Sequence, residues 1–590
     1  MRLKIIIGFI VSICLLLLWR VYSLSISSNE HFEKLSKKNY IKTFYTTAPR
    51  GAIIDRNGKY LAINKVGFSI SLKPHLRSKK SFKIVEDTAR LIVDKFPQFE
   101  YKKLLKKYKQ LDSPYRHDMV KIVEYIPYDQ FFKHYLEFNL NENIKIDSST
   151  IREYLYKDVA AHILGYMGKT SRADIQRDED SKYFDQTGRT GLEKYYDKLL
   201  RGTLGYKEVQ VNSVYETIKV FKEIEPTKND LHITIDIELQ QFIHNLFKGL
   251  AGAAVVMDVQ TGELLAAGSF PEFDNNIFVN GVSHKMWRSI VEDFNHPFTN
   301  KLINGLYPPG SVMKMGVSIS FLENGISPNF NVYCTGELEL GSRKFRCWNE
   351  RGHKTTGFTK AIRESCDDFF YKGSLEVGIN KISKTLDRFG IGKKTGIDLP
   401  KESKGINPNK QWKKDVRKKP WYVGETVVAS IGQGFISVTP MQIARYTGAM
   451  ATNKLVTPHL FKNKENLEQI DTKIDNKYLK IVQNGMYHVS NKPRGTATNY
   501  IKSDTVVAAK TGTAQVVGIP QEEKKRMKEH ELEYFQRSQA WLTTYAPYKN
   551  PKYVVTLLVE HGGHGGSAAG PLASKIYDKL IELGYIEKGK

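Results

Sequence analysis

Tyr307-Pro-Pro-Gly-Ser-Val-Met-Lys314 sets a serine directly after a Pro-Pro-Gly break and a lysine three residues further on. Gly310 frees the backbone, so Ser311 can open a helix that runs through Lys314 to Asn324 and stops at Gly325. Residues three apart lie on one helix face, about 5 Å apart between Cβ atoms, which brings Lys314 within reach of the Ser311 hydroxyl. A lysine that takes a serine proton must be neutral, which requires burial or a nearby cation, and the apolar residues around Lys314 supply the burial. Amides at the helix start would face the negative charge that develops on an attacked carbonyl. Taken alone, the pair also reads as a serine N-cap beside a surface lysine.

Two later elements decide between these readings. Ser365-Cys-Asp367 comes 54 residues after Ser311, and Lys510-Thr-Gly-Thr513 comes 199 residues after it. A Ser-x-x-Lys, a Ser-x-Asn-like triplet and a Lys-Thr-Gly in this order form the signature set of penicillin-recognising serine acyltransferases. Lys394-Thr-Gly396 also matches the third element, but it runs straight into Ile-Asp-Leu-Pro400 with no strand before it. Lys510 follows the strand-like Thr505-Val-Val-Ala-Ala509, which offers an edge on which a substrate can dock, and is the better choice.

The rest of the chain reads as several elements around this set. Thr47–Ala62 predicts two short strands about an Asn-Gly turn. From about Ser78 to Asn141 the pattern is that of Lys-rich amphipathic helices, such as Tyr101–Lys109, with solvated basic faces. Val209-Gln-Val211 and Leu231–Asp236 alternate as strands, the second half-buried, and the turn-rich Glu225–Asp230 marks a boundary near residue 230. Ala253–Asp258 and Glu263–Ala267 form a hairpin of buried strands, helical stretches follow, and Thr505–Ala509 and Tyr553–Val559 are further strands. Strands at both ends with helices between them predict an antiparallel sheet closed by the two ends of one domain.

The 590 residues predict two to four folding units, and a hydrophobic fraction of 41% fills their cores. Lys plus Arg exceed Asp plus Glu by 89 − 63 = 26. Without zinc-finger spacing, an aromatic single-strand signature or a Walker loop, that charge does not point to nucleic acid as a partner. Arg2 and Lys4 precede the apolar run Ile5–Trp19, which reaches Leu24 if Arg20 snorkels, and this predicts a membrane helix. Ser23-Leu-Ser25 is a weak cleavage site, so a cleaved secretory signal is the other reading. In either case the positive-inside rule sends residues 25 onward out of the cytoplasm.

Further stretches carry a resemblance across nearly the whole chain. Pro49–Gly58, Gly188–Tyr196 with Leu200-Arg-Gly202, Ile431-Gly-Gln-Gly434 with Thr439-Pro-Met-Gln442, and Gly565–Ala569 resemble class B penicillin-binding proteins. Trp412, Lys419–Glu425 and Asp367, where division enzymes carry Asn, are similar to the elongation-specific penicillin-binding protein 2 subgroup. The resemblance implies a mixed α/β (α+β) chain: a membrane anchor over 1–24, a β-rich pedestal or dimerisation domain over 25–232 with a helical head at about 77–157, and a transpeptidase domain over 233–590. It implies that Ser311 attacks the penultimate D-alanine carbonyl of a peptidoglycan stem pentapeptide with Lys314 as general base, and that an amine of a neighbouring stem then accepts the acyl group. Ser365 would relay the proton, and Asp367 and Lys510 would hold the network. The Ser311 and Thr513 amides would form the oxyanion hole beside Gly512, and the Thr511 and Thr513 hydroxyls would receive the substrate carboxylate. β-Lactam antibiotics, a membrane glycan polymerase of the shape, elongation and division type, and other elongation-complex proteins are the implied partners, at a bacterial inner membrane.

Two rivals stand beside this reading. A serine β-lactamase forms the same acyl-enzyme, and Glu137-Phe-Asn-Leu-Asn141 matches a short deacylating-loop pattern, but far ahead of Ser311 and in the wrong domain. A catalytically silent β-lactam-binding scaffold would not need all three motifs.

Cys334, Cys347 and Cys366 fall within 33 residues, with His353 between the last two. The spacing is not that of a standard zinc finger, but three thiolates and an imidazole complete a tetrahedral zinc set. A disulfide with a spare thiol, or three buried cysteines, are the alternatives. Some members of the subgroup hold zinc at matching positions, with aspartates at places where this chain has cysteines. Such a zinc would be structural, since the serine chemistry needs no metal.

Overall fold

The computed structural model describes residues 2–27, 34, 40–115, 118–212, 217–279, 281–465, 467–517 and 527–589. Two compact units emerge: Met1–Gly51 with Lys169–Asp185 and Lys198–Asn229, and Ala52–Gly168 with Gln186–Asp197 and Asp230–Lys590.

The first unit begins with the helix Arg2–Tyr22, a run of apolar side chains with none buried, long and apolar enough to cross a membrane. Its sheet has three antiparallel strands in the order Ile41–Thr46, Gly205–Val211, Thr217–Ile224. Arg201 is buried in this unit, where it donates to Ser181 Oγ at 3.0 Å and pairs with Asp178.

In the second unit the expected hairpin forms. Ile53–Ile54 pairs antiparallel with Tyr60–Leu72 across a turn at Gly58, whose φ of +86° suits glycine. Tyr60–Leu72 also pairs with Ile144–Tyr154 and Val120–Pro127. The helices Phe82–Lys95 and Tyr101–Leu111 lay Val85, Ala89, Ile92, Leu104 and Tyr108 on this sheet and leave most of their lysines in solvent. Within the Lys-rich stretch the structure places a strand, Val120–Pro127, where the sequence pattern predicts helix. Its Val120, Ile122 and Val123 are buried in the same core as those helices, and it pairs with the long strand Tyr60–Leu72 far upstream. Arg152 Nε meets Glu193 Oε1 at 2.7 Å with both side chains almost wholly buried, so the Gly188–Tyr196 stretch is tied to the long strands by an ion pair.

Leu231–Asp236 is not the half-buried strand its alternation predicts. Leu231–His232 pairs parallel to Ile53–Ile54, and Ile233 makes an isolated antiparallel bridge to Phe461. Thr234 is buried, bonding the Leu264 and His459 carbonyls, and Asp236 caps the helix Ile237–Leu246 through the amides of Glu238 and Leu239. Thr234 and Asp236 satisfy buried backbone groups rather than face water.

The large sheet runs in the order Leu264–Phe270, Gly252–Asp258, Tyr553–Val559, Gln539–Ala546, Ala508–Ala514, with every pair antiparallel. The two ends of the domain meet in it, as the strand positions predict. Neighbouring residues of a strand face opposite ways, so Thr543, bonded to Thr447 of the helix Pro440–Thr452, and Thr544, bonded to Tyr577 of the helix Gly565–Glu582, show that helices cover both faces. Ala508–Ala514 is left as an edge.

Candidate active site

The serine stretch builds a tight turn. Gly310 takes φ +56°, and a Cβ there would lie 2.9 Å from the Thr513 carbonyl oxygen, so glycine both permits the turn and lets it approach the edge strand. Gly310–Met313 form one 3-10 turn that continues as the α-helix Lys314–Glu323, with Gly325 at φ +98° just beyond its end. Ser311 caps nothing: the N-cap position of the turn is Pro309. The serine is half-buried, whereas Lys314 one turn on is 0% exposed, so the reading of a surface lysine does not hold.

Ser365 lies between the helices Phe358–Arg363 and Asp367–Val377. Its φ of +53° is a left-handed conformation that costs a non-glycine residue about 1–3 kcal/mol and persists only where its surroundings impose it. Lys314 Nζ donates to the Ser365 carbonyl at 2.9 Å and to Ser365 Oγ at 3.3 Å, and pairs with Asp367 Oδ1 at 2.7 Å. From the other side Lys510 Nζ donates to Ser365 Oγ at 3.0 Å and to the Thr511 carbonyl at 2.9 Å. Ser365 Oγ therefore bridges two buried lysines, with Asp367 the carboxylate that holds Lys314. Burial lowers the Lys510 pKa well below the ordinary lysine value, the Lys314 cation acts in the same direction, and Asp367 opposes both. Among the described residues no hydrogen bond joins Ser311 to Lys314. The resting network holds the lysine on Asp367 and Ser365.

The third motif lies within the strand Ala508–Ala514, three residues later than the sequence places the strand start. Strand alternation puts Lys510 and Gly512 on one face and Thr511 and Thr513 on the other. A Cβ on Gly512 would come 3.0 Å from the Pro309 carbonyl oxygen and 3.1 Å from Val312, so the edge strand lies against the serine turn at this glycine. Thr511 Oγ1 bonds Thr496 Oγ1 at 2.6 Å, and Thr513 is half-buried. The arrangement brings together a half-buried hydroxyl, two buried lysines joined by a second hydroxyl, and, among the described residues, a sheet-edge strand. Chemically this suits attack on a carbonyl of an extended peptide that ends in a carboxylate.

Cys334, Cys347, His353 and Cys366 meet as well. Their ligand atoms all lie within 4.8 Å of one another, all four residues are buried, and the cysteines are free thiols rather than a disulfide. His353 Nδ1 lies 3.4 Å from Cys347 Sγ and 3.7 Å from Cys334 Sγ. Hydrogen bonds from Cys347 and Cys366 lower the pKa of the Cys334 thiol, while Cys334 and Cys347 raise that of Cys366. Three close thiols and an imidazole, buried together, fit a tetrahedral divalent ion such as zinc. Cys366 occupies the N-cap position of Asp367–Val377, and the Asp367 amide donates to Cys347 Sγ at 3.4 Å, so the cluster adjoins the second motif.

Two sequence look-alikes are structural. Thr395 of Lys394-Thr-Gly396 gives its amide and hydroxyl to Glu402 Oε1, at 2.7 and 2.5 Å, on a loop. Glu137 pairs with Lys95 and His134 among the short helices of the first half, where neighbouring Phe138 is core.

Residues outside the three motifs support the site. Gly432 of Ile431-Gly-Gln-Gly434 gives its carbonyl to the Gly310 amide at 2.8 Å, and a Cβ there would sit 2.2 Å from the Gly310 oxygen. Tyr446 OH accepts from the Gly316 amide behind the serine helix. Tyr307 donates to Glu560 Oε1 at 2.6 Å, and Lys301, its pKa lowered by burial, meets Glu560 Oε2 at 3.3 Å, fixing the stretch just before the serine. A buried lysine paired to a glutamate 259 residues away has no spacing to betray it.

A serine turn, a Ser365–lysine bridge and a Lys-Thr-Gly edge strand define a penicillin-recognising serine acyltransferase. The chain belongs to the penicillin-binding proteins: residues 252–578 match the penicillin binding protein transpeptidase domain and residues 45–232 the penicillin-binding protein dimerisation domain. It is 33% identical to the peptidoglycan D,D-transpeptidase MrdA of Haemophilus influenzae, over 96% of this chain and 90% of that one. The same-named protein of Escherichia coli is 32% identical, over 96% and 91%. Among solved structures, a complex between penicillin-binding protein PBP2 and MreC from Helicobacter pylori matches with TM-score 0.86 and 40% identity, covering 92% of this chain and 99% of that one.

Proposed function

We infer that the protein is a peptidoglycan D,D-transpeptidase of cell-wall synthesis, of the elongation-specific, penicillin-binding protein 2 type. The observation that carries this is the convergence of Lys314, Ser365, Asp367 and Lys510 beside Ser311 at a sheet edge. Ser311 attacks the penultimate D-alanine carbonyl of a stem pentapeptide docked along Ala508–Ala514. Lys314 takes its proton, and Ser365, bonded to both lysines, passes a proton to the departing D-alanine amine. The Ser311 and Thr513 amides receive the oxyanion, and the Thr511 and Thr513 hydroxyls receive the terminal carboxylate. An amine of a second stem then takes the acyl group. β-Lactams, which present a strained amide and a carboxylate, acylate the same serine.

Intact mass after brief exposure to benzylpenicillin, followed over hours, tests the reading. A one-drug adduct that persists is expected. Its rapid loss would make the protein a β-lactamase, and no adduct on a folded protein would leave a silent scaffold.

The helix Arg2–Tyr22 anchors the chain in the inner membrane with Arg2 and Lys4 cytoplasmic and the bulk periplasmic. The Helicobacter relative is described in complex with MreC, and a further structural neighbour, 25% identical, as part of a peptidoglycan synthase complex. By that analogy this chain works beside a membrane glycan polymerase and a scaffold of the elongation complex.

Cys334, Cys347, His353 and Cys366 hold a structural zinc, which pins the loops that contain the first three against the second motif; no catalytic step passes through it. One zinc per chain is expected by elemental analysis. Chelation should lower the melting temperature by about 10 °C. A metal-free protein with a mass two hydrogens low would replace zinc by a disulfide.

A further inference from the structure

Trp348 follows the ligand-set residue Cys347 and is 49% exposed, so core packing does not account for a tryptophan at this position. Its polar atoms are committed to the second catalytic motif. The Trp348 amide donates to Asp367 Oδ2 at 2.9 Å, opposite the oxygen that holds Lys314. The indole Nε1–H is shared between the Glu364 carbonyl at 3.0 Å and the Ser365 carbonyl at 3.1 Å. One face of the ring meets His353 edge-on, with centroids 5.4 Å apart, so the cysteine-histidine loop sets where the indole lies.

These contacts bear on the strained residue of the site. A left-handed serine needs its surroundings to hold it. The Ser365 carbonyl is held by two donors, Lys314 Nζ and the Trp348 indole. In catalysis Lys314 gains the Ser311 proton and then hands it on, so its bonds to Ser365 change while Ser365 Oγ has to stay between the lysines. The indole is neutral and does not titrate, so it keeps the carbonyl in place throughout the cycle.

We propose that Trp348 is a positioning residue for transpeptidation, its indole N–H holding the left-handed Ser365 and its amide holding Asp367. The proposal rests on the reading that Ser365 relays the proton. Asp367 keeps its bond to the backbone amide whatever residue stands at 348, so substitution isolates the indole contribution. Loss of one such hydrogen bond from the acylation transition state lowers the rate by about tenfold.

The test compares full-length wild type, Trp348→Phe and Ser365→Ala, measuring the saturating rate of benzylpenicillin acylation and the half-saturating concentration separately. Trp348→Phe is expected to slow the saturating rate about tenfold at unchanged half-saturation, with melting temperature and zinc content held. A wild-type rate in Trp348→Phe with a slow Ser365→Ala overturns the proposal and leaves the Ser365 reading intact. A wild-type rate in Ser365→Ala overturns that reading and the proposal together. A rise in half-saturation alone would make Trp348 a binding contact instead and also overturns it. If Trp348→Phe lowers the melting temperature or loses zinc, benzothienylalanine at position 348 keeps the ring shape and removes only the N–H. A wild-type saturating rate in that protein overturns the proposal, and a tenfold loss supports it.

Discussion

Ser311→Ala will take up no benzylpenicillin and release no D-alanine, while folding as the wild type does. The hydroxyl is the only atom removed, and among the described residues it makes no hydrogen bond and caps no helix, so the change in stability should stay within about 0.5 kcal/mol. Activity should fall by on the order of 10⁶, the scale on which loss of a serine nucleophile is felt where the rest of a site survives. Intact mass and differential scanning calorimetry read both halves. An adduct on the variant at the wild-type rate would move the nucleophile elsewhere and break the reading of the whole site.

Lys314→Met should cost both acylation and stability, and the two can be separated. The side chain is 0% exposed and holds Asp367 Oδ1, the Ser365 carbonyl and Ser365 Oγ. Without the amine the general base is gone, and the acylation rate should drop by about 10²–10⁴. The Asp367 carboxylate would be left buried with the Trp348 amide but no cation, a situation that costs about 3–5 kcal/mol in a buried pair. Adding Asp367→Asn removes the stranded charge and should recover most of the melting temperature but none of the acylation. If the double variant recovered activity as well, Lys314 would be a charge partner of Asp367 and not a base.

The catalytic set was legible because its members are short local patterns placed on elements that local rules can read. Ser-x-x-Lys needs one helical turn, and Gly310 announces the bend before it. Lys-Thr-Gly needs a strand, and β-branched residues precede Lys510. The choice of Lys510 over Lys394 also rested on local context, and Glu402 accounts for Thr395 in the rejected copy. Local rules failed where burial came from a distant partner. Val120–Pro127 sits in a Lys-rich stretch and becomes a strand because Tyr60–Leu72 pairs with it and its apolar side chains join a core built by helices elsewhere in the chain. Leu231–Asp236 alternates as a strand does, yet Asp236 serves a helix cap. The strand Gln539–Ala546, rich in aromatic and β-branched residues, carried a signal that the sequence reading passed over, and it is the strand that pairs with the edge.

The sequence by itself determined the chemistry: which residues can attack, accept a proton, carry charge or offer a thiolate, in what order, and that an apolar helix precedes them. Those are properties of side chains and of spacings of three or four residues, set by helix and strand geometry. Only the tertiary structure decided that Ser365 is left-handed and shared by two buried lysines, that Gly432 and Gly512 let backbones close on the serine turn, that three cysteines and a histidine converge, and that Trp348 reaches from their loop to the catalytic motif. Each of these joins residues from about twenty to two hundred positions apart. Such a contact follows from how the packed core closes and leaves no period in the chain for a local reading to find.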